Sequence, residues 1–277
     1  MTPKDILVLL DLADRPGPAT EFAIGLAEKT GAHLTAISLA VDPVVTGFVV
    51  APVPIDLIES ARQDSLDRAK VAADRFEELA RRSSISREIR TNEVLMGGIP
   101  HGFVMSARLS DLVVIGQENP DQAEPLRDVL IEAALYEGIA PVLIIPYIAK
   151  APLKMDKVLI GWDGSRPAAR AIRDALPFLP KSAEITILMI GNATKLPGEP
   201  GADIATWLAR HGLSVTIKTM PGSGIPVADA ILNHASDNAY DLVIMGAYGH
   251  SWMREAVFGG ATRDILRTMT VPVLMAH

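Results

Sequence analysis

An internal repeat constrains this chain more than any other feature of its sequence. The run DLVVIG, which ends at Gly116, returns as DLVIMG, which ends at Gly246, and APVLII returns as VPVLMA. Near the start of each copy, DILVLLDLADRP resembles DKVLIGWDGSRP, and this match aligns Asp11 with Asp163. Three matches in the same order indicate two copies of one folding unit.

The spacing of these matches predicts two domains, residues 1–150 and residues 151–277. The boundary falls in YIAKAPLKMD, residues 147–156, which contains proline and lysine and links two apolar runs. The first copy is the longer one because of an excursion at residues 41–82. Its proline-broken apolar part predicts a lid or interface loop, and its charged part predicts the solvated face of a helix.

Short runs of Val, Ile and Leu alternate with helical patterns in both copies. Nearly continuous apolar strands between amphipathic helices are typical of a parallel sheet covered on both faces. We therefore predict an α/β fold with two doubly wound, five-stranded parallel-sheet domains in tandem. Each domain is Rossmann-like or flavodoxin-like, with strand order 3-2-1-4-5.

Composition excludes several function classes. The 277 residues carry a net charge of −7 and no cysteine. This acidity disfavours nucleic acid and anionic membranes as partners, and the lack of cysteine excludes thiolate metal sites and cysteine nucleophiles. The six histidines show no metal-ligand spacing, so no metal site is expected. The apolar runs are too short to span a bilayer, and the start shows no leader pattern. We therefore expect a cytoplasmic protein.

The second copy carries a candidate ligand site. In doubly wound sheets ligands bind at the carboxyl ends of the strands, and there we place Asp163, Met189 and Gly246. The spacing G-x2-G-x9-G, which ends at Gly259, can wrap main-chain amides around an anion before a helix starts near Thr262. The glycines are equally compatible with a tight turn and close packing of a helix on the sheet, and the spacing leaves both interpretations open.

The runs VLIGWDGS, DLVIMGAYGHSWMREAVFGGAT and VPVLMA resemble the universal stress protein family, and the whole chain resembles its tandem two-domain members. This resemblance implies that Asp163 contacts adenosine, that the Met189 main chain lines an adenine pocket, and that Thr262 donates to phosphate from the helix start. It implies a cofactor-binding set of Asp163, Met189, Met245, Gly246, Gly249, Gly259, Gly260, Ala261 and Thr262. The implied ligand is ATP, with ADP, AMP and an accompanying Mg²⁺ as open alternatives.

Two departures from that pattern bear on binding. Gly260 stands where the family has Ser or Thr, and losing a hydroxyl–phosphate hydrogen bond weakens binding roughly tenfold or more. The first copy keeps Asp11 but has no glycines to match Gly249 and Gly259. Its Glu118, Asp121 and Glu124 instead bring carboxylates that repel phosphate. We therefore expect one nucleotide per chain, in the second copy.

The leading hypothesis is a non-enzymatic, nucleotide-binding regulator of the stress response. The alternatives are a structural or interaction protein that binds no nucleotide and, on weaker grounds, a slow ATPase. No catalytic residue can be named. The apolar last strands, APVLII and VPVLMA, are expected to pair and make the chain an internal pseudo-dimer, since each would otherwise be an exposed apolar edge. A homodimer of the whole chain stays open.

Overall fold

The computed structural model describes most of the chain. The segment 249–259, which contains Gly249 and Gly259, and the apolar part of the excursion, 43–53, lie outside it. The described residues are 2–13, 17–42, 54–95, 100–122, 124, 126–150, 152–191, 199–222, 224–248 and 260–277.

Strands and helices alternate along the first half. Its described elements are β1 (Asp5–Leu9), α1 (Ala19–Thr30), β2 (His33–Asp42), α2 (Ile55–Ala80), β3 (Arg87–Leu95), α3 (His101–Arg108), β4 (Leu112–Gly116), α4 (Arg127–Glu137) and β5 (Val142–Ile145). The predicted helix in the charged part of the excursion is confirmed as α2. Its buried residues recur every three or four positions, as one face of a helix requires: Ser65, Ala69, Ala72, Phe76 and Ala80.

The second half repeats this order. Its described elements are β6 (Lys157–Gly161), α5 (Arg166–Ala175), β7 (Glu184–Ile190), α6 (Ala202–Arg210), β8 (Val215–Met220), α7 (Val227–Asp237), β9 (Leu242–Gly246), α8 (Ala261–Thr268) and β10 (Val273–Ala276). Helix α5 begins where the sequence provides a cap, because the Ser165 side chain accepts a hydrogen bond from the Ala168 amide and Pro167 lies in the first turn.

The ten strands form one sheet in the order β3-β2-β1-β4-β5-β10-β9-β6-β7-β8. Read within each half, this is the predicted order 3-2-1-4-5, so the predicted fold class is confirmed. Chain order reverses between β1 and β4 in the first half and between β6 and β9 in the second. These two switch points are where doubly wound sheets bind ligands.

The two halves meet along their last strands. Strand β10 pairs antiparallel with β5, with Leu274 opposite Leu143, and every residue of both strands is buried. The predicted pairing of these strands is therefore confirmed. One apolar cluster covers each face of the sheet, and each cluster includes residues of both halves. The halves thus share a continuous core. In the part of the chain that is described, no helix is both long and apolar enough to cross a membrane.

Candidate functional site

The predicted site residues of the second half gather at one edge of the sheet. Asp163 follows β6, Met189 lies near the end of β7, and Gly246 ends β9. Strands β7, β6 and β9 are consecutive and parallel neighbours. Their carboxyl ends therefore lie side by side, at the switch point between β6 and β9.

Asp163 is exposed at this edge. Its Oδ1 accepts a hydrogen bond from the Ser165 amide at 2.9 Å, and Ser165 in turn caps α5. Within the described residues no salt bridge engages Asp163. The carboxylate is thus oriented by the start of α5 while it stays accessible to a ligand.

Gly246 allows a close approach between a strand and a helix. A Cβ at this position would lie 2.5 Å from the Ala168 nitrogen and 2.7 Å from the Pro167 carbonyl carbon, both main-chain atoms at the start of α5. The spacing of the glycines left packing and ligand contact as alternatives. At Gly246 the close neighbour is helix α5, because its first turn occupies the space of a side chain.

Met189 and Met245 lie near the carboxyl ends of β7 and β9 with their side chains turned into the core. The Met189 side chain is fully buried, and Met245 is 7% exposed. Met189 is paired with Thr219 on β8, and Met245 with Met275 on β10. Both side chains belong to the apolar core.

Helix α8 begins beside the end of β9. Gly260 precedes it in an extended conformation, and no side-chain hydrogen bond caps the helix in the described structure. Ala261 and Thr262 form its first turn, whose amides have no partner within the helix. Thr262 is buried, and its Oγ1 accepts a hydrogen bond from the Tyr248 amide at 3.1 Å. The Thr262 hydroxyl therefore joins the helix start to the end of β9.

Tyr248 is a residue that the sequence analysis missed. It has a φ of 53°, in a region that bulky side chains rarely adopt. Its hydroxyl donates to Oε1 of Glu132 in the first half at 3.3 Å. Burial, with the nearby Glu132 carboxylate, raises the pKa of Tyr248 well above its usual value. The phenol therefore remains protonated and able to donate.

The equivalent edge of the first half is closed by a buried ion cluster. Arg127, at the start of α4, is 4% exposed, and its Nη2 lies 2.7 Å from Asp11 Oδ1. The same nitrogen lies 2.5 Å from Glu124 Oε2. Asp11 Oδ2 also accepts a hydrogen bond from the Gly17 amide at 2.8 Å. Although burial opposes its charge, the carboxylates of Asp11, Glu124 and Glu118 raise the pKa of Arg127.

This cluster leaves little room beside Asp11. The cavity that its described residues line, with Gln117, Glu118 and Tyr147 among them, has a volume of about 20 Å³, which is room for about one water molecule. Burial raises the pKa of Glu118. The sequence analysis recognised the carboxylates here and missed Arg127. A signal was present, since a cation at the first position of a helix is unfavourable unless acidic groups surround it.

The described residues contain no group of three or more His, Asp or Glu side chains able to hold a metal ion. The second edge brings together an exposed carboxylate, the last residues of three strands and the first-turn amides of α8, which have no partner within that helix. This arrangement suits a ligand that carries both hydroxyl groups and an anion.

Comparison with known proteins extends these observations. Residues 154–277 match the model of the universal stress protein family. Universal stress protein Slr1230 of Synechocystis is 30% identical over 142 residues, a match that covers 48% of this chain and 46% of that protein. Universal stress protein YxiE of Bacillus subtilis is 27% identical over 148 residues, which cover 44% of this chain and 99% of that protein. The match thus spans about half of the length of the Synechocystis relative.

The fold of the whole chain also has a solved counterpart. A universal stress protein from Archaeoglobus fulgidus superimposes with a TM-score of 0.71 and 16% identity, over 100% of this chain and 96% of that one. At this identity the likeness concerns the fold, and it extends over both halves. Residues 154–277 thus match the universal stress protein family, within a chain whose fold over both halves is similar to that of a solved universal stress protein.

Proposed function

We propose that this protein is a non-enzymatic regulator of the stress response that binds one adenine nucleotide in its second half. The observation that carries the proposal is the accessible Asp163 carboxylate at a switch point whose neighbouring helix, α8, begins with amides that have no partner within the helix. A carboxylate is a good acceptor for ribose hydroxyls, and helix amides are good donors to phosphate. The two groups thus suit opposite ends of one nucleotide.

The remaining predicted residues complete this hypothesis. The main chain of Met189 and Met245 would face the adenine end. Gly246, Gly249, Gly259 and Gly260 would surround the phosphates, with Ala261 and Thr262 at the helix start. The proposed ligand is ATP, with ADP, AMP and an accompanying Mg²⁺ as alternatives that the experiment below separates.

We further propose that residues 1–150 are a degenerate domain that binds no nucleotide, and that the two domains form an internal pseudo-dimer. The ion pair between Asp11 and Arg127 supports the first proposal, because it occupies the position where a ligand hydroxyl would meet the carboxylate. The pairing of β5 with β10 supports the second.

Calorimetric titration of the full chain with ATP tests the proposal. We expect a stoichiometry near one, and we expect Asp163→Ala to weaken binding by about 1–3 kcal/mol, the cost of losing a hydrogen bond in a binding site. The matched variant Asp11→Ala should change the affinity little. ADP, AMP and ATP with Mg²⁺ are titrated in parallel, and product formation is followed to detect hydrolysis.

Four outcomes would contradict the proposal. A stoichiometry near two, or equal losses in the Asp11 and Asp163 variants, would refute binding in one half only. Turnover at a constant rate would favour the slow ATPase. The lack of detectable heat at millimolar nucleotide would favour a structural or interaction protein, an alternative that Gly260 supports because it removes the expected hydroxyl.

A further inference from the structure

Helix α4 of the first half contacts residues on both sides of the segment 249–259 of the second half. Glu132 Oε1 accepts a hydrogen bond from the Tyr248 hydroxyl at 3.3 Å and one from Arg263 Nη2 at 3.4 Å. Tyr248 directly precedes Gly249, and Arg263 lies in the first turn of α8. One carboxylate of the first half thus bridges the end of β9 and the start of α8.

A second contact from the same helix holds the Tyr248 ring. The rings of Tyr136 and Tyr248 are stacked, with centroids 4.6 Å apart and planes at 29°. Tyr136 also contacts the ring of His277, at 4.8 Å. Because Tyr248 has a positive φ, its conformation is unfavourable unless surrounding contacts fix it. Glu132 and Tyr136 supply such contacts to its side chain.

These side-chain contacts also fix the main chain at the edge where a ligand is expected. The Tyr248 amide donates to Thr262 Oγ1, so the position of Tyr248 is linked to the first turn of α8. A third contact acts on the same helix, because Gln117 Nε2, buried at the end of β4, donates to the Leu266 carbonyl oxygen at 2.9 Å. The first half therefore forms hydrogen bonds with α8 at Arg263 and at Leu266.

We propose that Glu132 and Tyr136 are positioning residues that align the second half's binding edge from the first half. On this proposal the first half, which has a closed edge of its own, orients Tyr248 and α8 for a ligand of its neighbour. The nucleotide readout rests on the proposed function, whereas the alignment itself is measurable without a ligand.

Positioning can be separated from general stabilisation. Glu132 and Arg263 are 37% and 52% exposed, and exposed ion pairs contribute little to the stability of a fold. Removing Glu132 should therefore leave unfolding nearly unchanged while it frees Tyr248. A ligand that depends on several aligned amides is more sensitive to such a shift than the fold is.

The matched control lies on the same helix. Glu137 pairs with Arg108 of its own half at 3.8 Å, with both side chains 44% exposed. Glu132→Ala and Glu137→Ala thus remove the same charge and a similar exposed pair, and they differ in which half they contact. Glu132→Gln retains an oxygen that can accept from the Tyr248 hydroxyl.

The test uses the full chain and three measurements. These are ATP affinity by calorimetry, hydrogen exchange of the Tyr248 amide, and the urea midpoint without ligand. Relative to Glu137→Ala, Glu132→Ala should lower ATP affinity about 3- to 10-fold, roughly the effect of one lost polar contact. It should also speed exchange of the Tyr248 amide while the urea midpoints agree. Glu132→Gln should recover most of both losses, and Tyr136→Ala should repeat them.

Each outcome decides one proposal. If the Tyr248 amide exchanges alike in Glu132→Ala and Glu137→Ala, the positioning role is refuted. It is also refuted if the wild type binds ATP and Glu132→Ala binds it equally well. If the wild type binds no nucleotide while exchange quickens in Glu132→Ala alone, the proposed ligand is wrong and the alignment of Tyr248 by the first half stands.

Discussion

Each half places an aspartate at the equivalent edge of its sheet, but the surroundings of the two carboxylates are opposite. Asp11 is 6% exposed and lies against the Arg127 guanidinium. Asp163 is exposed and contacts the amide at the start of its own next helix. The difference arises at the beginning of the last helix of each half, where Arg127 stands in the first half and Ala261 in the second.

An aspartate after the first strand therefore does not define a ligand site by itself. An arginine from the neighbouring helix can satisfy the carboxylate within the protein. It also introduces a buried charge, which is stable only while its partners are present. The first edge should therefore matter for stability, and the second for binding.

Removing the buried cation Arg127 should lower the stability of the protein more than the other substitutions proposed below. Arg127→Met leaves Asp11 and Glu124, which are 6% and 14% exposed, without their counter-ion. Breaking a buried pair in this way should lower the free energy of unfolding by about 3–5 kcal/mol at pH 7. Urea unfolding followed by circular dichroism measures the change.

The second half supplies the control. Arg263→Met removes a cation that is 52% exposed, so it should cost about 1 kcal/mol or less. Adding Asp11→Asn to Arg127→Met should restore part of the lost stability, because it removes one uncompensated charge. Equal losses for Arg127→Met and Arg263→Met would contradict the contrast between a closed and an open edge.

The next effect concerns the glycines that end β4 and β9. A methyl group at Gly246 would meet the Ala168 nitrogen at 2.5 Å, and main-chain atoms of a helix cannot move aside at low cost. At Gly116 the nearest atom is Asp11 Oδ1, at 3.1 Å. Gly246→Ala should therefore lower the free energy of unfolding by about 1–3 kcal/mol, and Gly116→Ala by less.

Thermal and urea unfolding of the two glycine variants provide the measurement. The reverse order of stability would mean that the start of α5 yields more easily than the Asp11 cluster. Loss of nucleotide binding without loss of stability in Gly246→Ala would show that Gly246 serves a ligand rather than the packing of α5.

Much of the fold was predictable from the sequence, since its cause is local. Nearly continuous apolar runs such as LVIMG make buried strands, and the helical patterns between them alternate with those strands regularly. The repeat then predicted the same strand order in both halves, and the apolar last strands predicted their own pairing. None of these inferences needs the position of an individual side chain.

The site was less predictable because its contacts join distant residues. Arg127 meets Asp11 across 116 positions of the chain, and Tyr248 meets Glu132 across the same number. Neither pair follows a spacing rule. The glycine spacing identified an edge, but it could not distinguish a ligand from helix α5 at Gly246. That distinction depends on where Pro167 and Ala168 lie.

A small pH dependence of stability should arise from Glu118 at the first edge. Burial raises the pKa of Glu118 above the ordinary value of 4.5, although the Glu124 amide and Arg127 oppose the shift. From that value up to its raised pKa, the folded chain binds more protons than the unfolded one. Stability should therefore fall as pH rises through this window, because the ionised form is disfavoured in the folded state.

Glu118→Gln removes this titration and retains an oxygen in place of Oε1, which accepts from the Glu124 amide at 2.8 Å. Urea midpoints from about pH 4 to pH 8 should show the variant more stable than the wild type at pH 7, by about 0.5 kcal/mol or less, with the difference vanishing near pH 4. In the repeat, Glu118 aligns with Tyr248 of the second half, whose raised pKa lies above the range from pH 4 to pH 8. Tyr248→Phe should therefore change stability equally at every pH of this range. A wild type that is more stable than Glu118→Gln at pH 7, but not at pH 4, would mean that attraction to Arg127 outweighs burial at Glu118.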